Sequence, residues 1–242
     1  MINCKKDDTS PTGFTIVIEG EVNDVLQELS RVCTEIYNAV QVGLGNIKTV
    51  IEETSEPCKL KPGDHFYYNE YKYVLLDVIG EGDYLAITAD IADDRQFHGN
   101  SGDGCNNWAN SHLRRYLNNE YMDVMGIEPD YLIKHESDLI ADNGDRSYGK
   151  CWDDIFLLSC DLYRKYRNII PKYDDDVWTL TPWSCDVGNA SYVRNVHTSG
   201  TIYSHYATYT YGVAPACIFN HEILTPRRQA QTGHIVLEET EK

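Results

Sequence analysis

Eight cysteines, Cys4, Cys33, Cys58, Cys105, Cys151, Cys160, Cys185 and Cys217, are the side chains of this chain best suited to bind zinc or exchange electrons. None lies two residues from another, and the closest are Cys151 and Cys160. Zinc sites draw on at least one tight Cys or His pair, so reduced and mostly buried thiols are the expectation. Redox chemistry at Cys185 and Cys217 requires the fold to bring together two residues far apart in sequence. His197 and His205, with Asp186 and a serine such as Ser204, supply the residue types of an acyl-transfer triad, but eight histidines and many serines make such sets common by chance. The chain has no H-E-x-x-H, no G-x-S-x-G and no phosphate-cradling Gly-Lys-Ser/Thr. The expectation is a non-enzyme without a cofactor, with an enzyme of unknown reaction as the alternative.

Carboxylates offer one more chemistry. Asp93, Asp94, Asn100, Asp103 and Asn106 fall in a loop expected over 90–107, where such oxygens can ligate calcium, yet the regular D-x-D-x-D-G register and its terminal Glu are missing. Asp174, Asp175 and Asp176 read as a solvated acidic turn.

The segment between Trp178 and Phe219 points to recognition. Asn189, Ser191, Tyr192, Asn195, His197, Ser199, Tyr203, His205, Tyr206 and Tyr209 form a Tyr/Ser/Asn/His-rich stretch with little that is purely apolar. Tyr gives rigid amphipathic contact area at low entropic cost, and Ser and Asn give adaptable hydrogen bonds, as in antibody paratopes. Residues 201–211 alternate, which as one strand places Tyr203, His205, Ala207, Tyr209 and Tyr211 on one face and Ile202, Ser204, Tyr206, Thr208 and Thr210 on the other. The competing reading is an ordinary half-exposed hairpin, because Tyr and Thr are good strand formers.

Composition narrows the partner. A net charge of −17 over 242 residues argues against nucleic acid and anionic membrane surfaces, which demand surplus Lys and Arg. The beginning of the chain has no apolar run long enough for a secretory signal or membrane helix, so synthesis in the cytoplasm without a signal peptide and no membrane insertion are expected.

The elements that position these residues fall into two parts. In residues 1–55, a loose polar start precedes a strand over 14–20. A helix then carries Val22, Leu26, Leu29, Cys33, Ile36 and Val40 at spacings of 4, 3, 4, 3 and 4, a stripe suited to docking or to homo-oligomerisation through residues 22–40. Turn residues at Pro57 and 61–64 open a second part, 56–242. It begins with strands at 66–68, 71–79 and 84–89, the last two forming a hairpin around Gly80-Glu81-Gly82-Asp83. A helix follows over Trp108–Asn118 with Ser111 as its cap. Then come a strand at 131–134, an apolar run at 155–159, a helix at 162–167, and a final strand near 234–238 pairing with the first.

The ordered set Trp108-x-x-Ser111-x-Leu113-Arg114-x-x-Leu117-Asn118, Asp154-x-Phe156-Leu157-Leu158-Ser159, Trp178-x-Leu180, Val193-x-x-Val196-x-x-x-Gly200 and Gly212-Val213-x-Pro215-Ala216 resembles an uncharacterised domain family of bacterial and phage proteins. That resemblance covers roughly residues 60–221. It implies a C-type-lectin-like fold, as in phage receptor-binding proteins and the variable proteins diversified by retroelements. Thr181 and Ala214 stand where that family places arginines, which suggests one shared environment that this chain has altered. The resulting expectation is an α+β protein with a C-type-lectin-like mixed domain after a small strand-helix module. Its implied function is binding of a protein or glycan ligand, virion-associated or prophage-encoded, with a structural virion component as an alternative.

Overall fold

The computed structural model describes residues 2–6, 14–18, 31–35, 37–41, 60–224 and 235–237. The chain divides into two compact units, Met1–Glu56 and Pro57–Lys242. In the first unit, β1 (Ile2–Lys6) pairs antiparallel with β2 (Phe14–Ile18), Ile2 facing Ile18. The polar start, expected to be loose, is therefore a strand: backbone pairing with the β-branched run Thr15-Ile16-Val17-Ile18 recruits it. Residues 31–35 and 37–41 are helical, with Cys33 and Val40 exposed. Val22, Leu26, Leu29 and Ile36 of the expected stripe lie outside the described side chains, as does the start of that helix.

The second unit is mixed, mostly β-sheet with a few helices. Its first sheet has the order β15-β3-β4-β5-β14-β9, built from β3 (His65–Tyr68), β4 (Tyr71–Ile79), β5 (Asp83–Thr88), β9 (Ile155–Phe156), β14 (Ala216–Phe219) and β15 (Ile235–Leu237). β4 and β5 form the expected hairpin, in register from Ile79 and Asp83. Gly80 and Gly82 turn at φ 55° and 117°, angles that favour glycine. The final strand pairs with β3, the first strand of this unit.

The second sheet runs β12-β11-β10-β13-β6, from β6 (Asp93–Gln96), β10 (Val177–Pro182), β11 (Tyr192–Val196), β12 (Ile202–Tyr206) and β13 (Thr210–Val213). A separate ribbon pairs β7 (His135–Asp138) with β8 (Lys150–Asp153). Residues 131–134 are not a strand: Pro129–Tyr131 makes a tight helical turn, and only Leu132 bridges to Phe219. Proline fixes φ and favours that turn over a ladder.

The helical segment starts as expected. Ser111 accepts the Arg114 amide N–H at 3.0 Å, opening α1 (His112–Tyr116), which continues through a wider turn into α2 (Met122–Met125) and stops at Gly126, φ 59°. α3 (Cys160–Tyr166) is capped by Ser159, whose Oγ accepts the Leu162 amide at 3.1 Å. The core packs Phe66, Tyr73 and Phe219 in edge-on and stacked pairs at 5.2–5.6 Å, favourable aromatic geometry.

The motif residues brace this core. Asp153 is fully enclosed and accepts Trp108 Nε1–H at 2.8 Å and Arg114 Nε–H at 2.6 Å. Arg114 also donates to the carbonyls of Ala109 and Trp152. Asn118 closes the same corner: its Oδ1 accepts the Asp154 and Ile155 amides, and its Nδ2 donates to the Ile155 carbonyl at 2.7 Å. Gly212 lets β13 approach the Asp176 carbonyl, since a Cβ there would meet it at 3.1 Å and Ile91 Cδ1 at 2.8 Å.

Candidate functional site

The Tyr-rich stretch is not one strand. Ala207, buried, breaks it, and the turn at 207–209 carries the chain from the sheet edge at β12 to β13, between β10 and β6. The turn is held from three sides. The Ala207 N–H donates to Ser191, the Ala207 carbonyl accepts the His98 amide, both at 2.9 Å, and Gln96 Nε2–H reaches the Thr208 carbonyl at 2.6 Å.

This break reassigns the faces. β11 and β12 pair Tyr192 with Tyr206, Arg194 with Ser204 and Asn195 with Tyr203. The Tyr192 and Tyr206 rings lie 4.3 Å apart, and the hydrogen bond with Tyr206 raises the Tyr192 phenol above its ordinary value. Tyr209 caps the edge, 5.9 Å from Tyr206 and 5.7 Å from His205, although the strand alternation expected Tyr206 on the opposite face. Tyr211 lies 5.0 Å from His205 and stacks edge-on with Trp178 at 4.9 Å. The result is a continuous ring cluster in which Tyr206 and Tyr209 keep 43% and 48% of their surface exposed.

The remaining expected residues lie around or apart from this cluster. Ser191 lines a small hollow with Tyr206, and Asn189 is exposed in the loop before β11. Tyr203 is exposed but faces His197, ring to ring at 5.5 Å. Asn195 sits beneath the surface, fully buried, its Nδ2 donating to Asp176 Oδ2 at 2.9 Å. No local signal reports this, because Asn195 lies on β11 inside the sheet, between β10 and β12, and its partner Asp176 is distant in sequence. Arg194, not singled out before, is a further surface feature: its guanidinium stacks on the exposed Trp183 ring at 4.4 Å and pairs with Asp142.

His197 and Ser199 belong to another place, the mouth of a cavity of about 500 Å³. Asp176 lies beside them, so that an acid, an imidazole and a hydroxyl come close together. The Asp176 to His197 Nε2 distance is 3.9 Å, beyond a hydrogen bond, and His197 Nδ1 accepts the Ser199 amide N–H as well as contacting its hydroxyl. That lone pair serves a local turn, which leaves the imidazole poorly placed as a base. The triad imagined with Asp186 does not form this way; Asp186 instead accepts Ser184 Oγ–H at 2.8 Å.

The thiols and carboxylates are otherwise engaged. Cys217 is buried on β14 beside Tyr73 and Tyr121, Cys185 lies near Asp145 and Tyr148, and both are free thiols. Burial raises both thiols. Burial, with Asp153 alongside, pushes Cys151 up to about 12. In the loop expected over 90–107, residues 93–96 are instead strand β6. Asp93 accepts from Arg95 and Tyr116, Asp103 from the Gly188 amide and Asn106 from Tyr148. Among the described residues, no group of three or more His, Cys, Asp or Glu is arranged to hold a metal ion.

Thr181 and Ala214 do not share one environment. Thr181 Oγ1 accepts the Cys160 amide at 2.9 Å and lines a cavity of about 420 Å³ beside α3. Ala214 lines the 500 Å³ cavity.

No described helix is long and apolar enough to cross a membrane. No curated protein and no solved structure matches the chain. Residues 81–165, which include the Trp108, Arg114 and Asp153 brace, match the family model of a domain of unknown function, DUF6273, in line with the uncharacterised domain family expected from the motifs.

Proposed function

We propose that this chain is a ligand-binding protein that recognises a protein or glycan through its Tyr-rich C-terminal segment, on a C-type-lectin-like scaffold. The carrying observation is the ring cluster of Tyr192, His205, Tyr206, Tyr209 and Tyr211, continuous and partly exposed at the end of a sheet. Rigid aromatic anchors with one wet edge are the side chains that dominate recognition surfaces. The lectin-like reading is supported by the last strand of the second unit pairing with its first. The phage-related setting, virion or prophage, and the idea of a diversified variable protein come from the motif resemblance.

The test is a glycan array and a panel of purified bacterial surface proteins, probed with the full chain and with a Tyr206→Ser/Tyr209→Ser double variant. Truncating two exposed anchors should weaken any true ligand by about tenfold or more. Ligands that bind both forms equally, or no binding to either panel, would sink the proposal.

A further inference from the structure

We propose that the 500 Å³ cavity is a second binding site, across β10 from the ring cluster, for a small organic anion: a carboxylate or phosphate on an apolar or aromatic body. Its size is that of cavities that enclose small ligands, about 300–1,000 Å³. The floor is apolar and buried, formed by Ile87 of β5, Leu158, Val177 of β10, Val196 of β11, and Ala214. The mouth is polar and exposed, with Arg167, Asn168, Lys172, Thr198 and Ser199. A ligand with an apolar body and a charged head matches that gradient.

The sign of the head follows from the cations. Of the arginines described in the second unit, Arg95, Arg114, Arg146, Arg164 and Arg194 pair with a described carboxylate, and Arg115, away from this cavity, and Arg167 do not. Arg167 and Lys172 have no such partner among the described residues, although the chain carries a net charge of −17 and a carboxylate is easily found. They outnumber the single carboxylate of the lining, Asp175. Arg167 also lies against a tightly packed turn. Gly200 has φ 80°, and a Cβ there would sit 3.3 Å from Arg167 Nη2 and 3.0 Å from Tyr163 Oη, so a bare backbone lets the guanidinium lie against the turn. Tyr163 Oη–H, donating to the Gly200 carbonyl at 3.0 Å, locks that turn to α3. A guanidinium at the rim of an apolar cavity makes charge-assisted hydrogen bonds to an entering anion.

An NMR titration of the full chain with phenylacetate, phenyl phosphate and the neutral phenylacetamide tests this. At least one anion should bind about tenfold or more tightly than the amide, with shifts at the Val177 and Val196 methyls, and Arg167→Gln should abolish that preference. The better of the two anions identifies the headgroup. Arg167 is exposed, so the variant should keep its melting temperature and a loss of binding is not a loss of fold. Equal affinity for acid and amide, no saturable binding of either anion, or an unchanged preference in Arg167→Gln overturns the proposal.

Discussion

Replacing Asp153 by asparagine removes the charge from a carboxylate that is 0% exposed and holds three donors, Trp108 Nε1–H, Arg114 Nε–H and, more weakly, the Cys151 thiol. Removing one member of a buried pair costs about 3–5 kcal/mol. Two features lower that figure here. The Arg114 side chain is 29% exposed, so water solvates part of its charge, and asparagine still offers one acceptor oxygen. Its Nδ2–H₂ must then face either the indole or the guanidinium, a donor against a donor. The expected loss is about 2–3 kcal/mol for Asp153→Asn, rising to about 3–5 kcal/mol for Asp153→Ala, where all three donors lose their partner and a void opens. Urea unfolding followed by tryptophan fluorescence and circular dichroism measures this, with an unchanged slope showing that the same surface unfolds. Adding Arg114→Met completes a double-mutant cycle, which should return a coupling of about 1.5–3 kcal/mol. A loss below about 1 kcal/mol for Asp153→Asn, or a coupling near zero, would refute the reading of the Trp108 to Asn118 motif as an internal brace.

Three further outcomes are expected. Burial, helped by the stacked His112 ring at 4.1 Å and by Arg115, lowers the His98 imidazole, and burial against Phe156 lowers His135. Unfolded histidines near 6.5 therefore take up protons before the folded ones, so the melting temperature should fall as the pH drops from about 7 to 5. The fall should be shallower in a His98→Gln/His135→Gln variant, and equal slopes would contradict the assignment. Burial also raises the thiols of Cys105, Cys160 and Cys217, whereas Cys33 is exposed; a thiol reagent should modify Cys33 in the native protein and these three only after unfolding. Native labelling of Cys217 at the Cys33 rate would count against its place in the core. Gly200→Ala, forced to φ 80° against Tyr163 Oη, should lower unfolding stability by about 1–2 kcal/mol, read from the urea midpoint. A neutral substitution would mean that the turn is not held as described.

Local chemistry made much of the first sheet legible. The β-branched and apolar runs of β4 and β5, with glycines between them, determine a hairpin from contacts a few residues apart, and Ser111 announces its helix because a cap bonds only three residues on. The β6 strand, Asp93-Asp94-Arg95-Gln96, carries no apolar alternation. It exists because β13, from Thr210 onward, supplies a ladder, and no local signal reports a partner so distant. The polar β7–β8 ribbon was hidden for the same reason.

The candidate site divides along the same line. Sequence alone determined that a half-polar, tyrosine-rich segment lies between apolar flanks, because composition sets what a surface offers. Which rings meet was decided by the turn at Ala207, which ends the strand period and brings Tyr209 beside both His205 and Tyr206. Strand position decided that Asn195, on β11 inside the sheet, is covered while its partner Tyr203, on the edge strand β12, is not. The cavity was decided by tertiary structure entirely: its floor comes from both sheets and its cations from the segment after α3, and no stretch of sequence carries the shape of a space that distant residues leave between them.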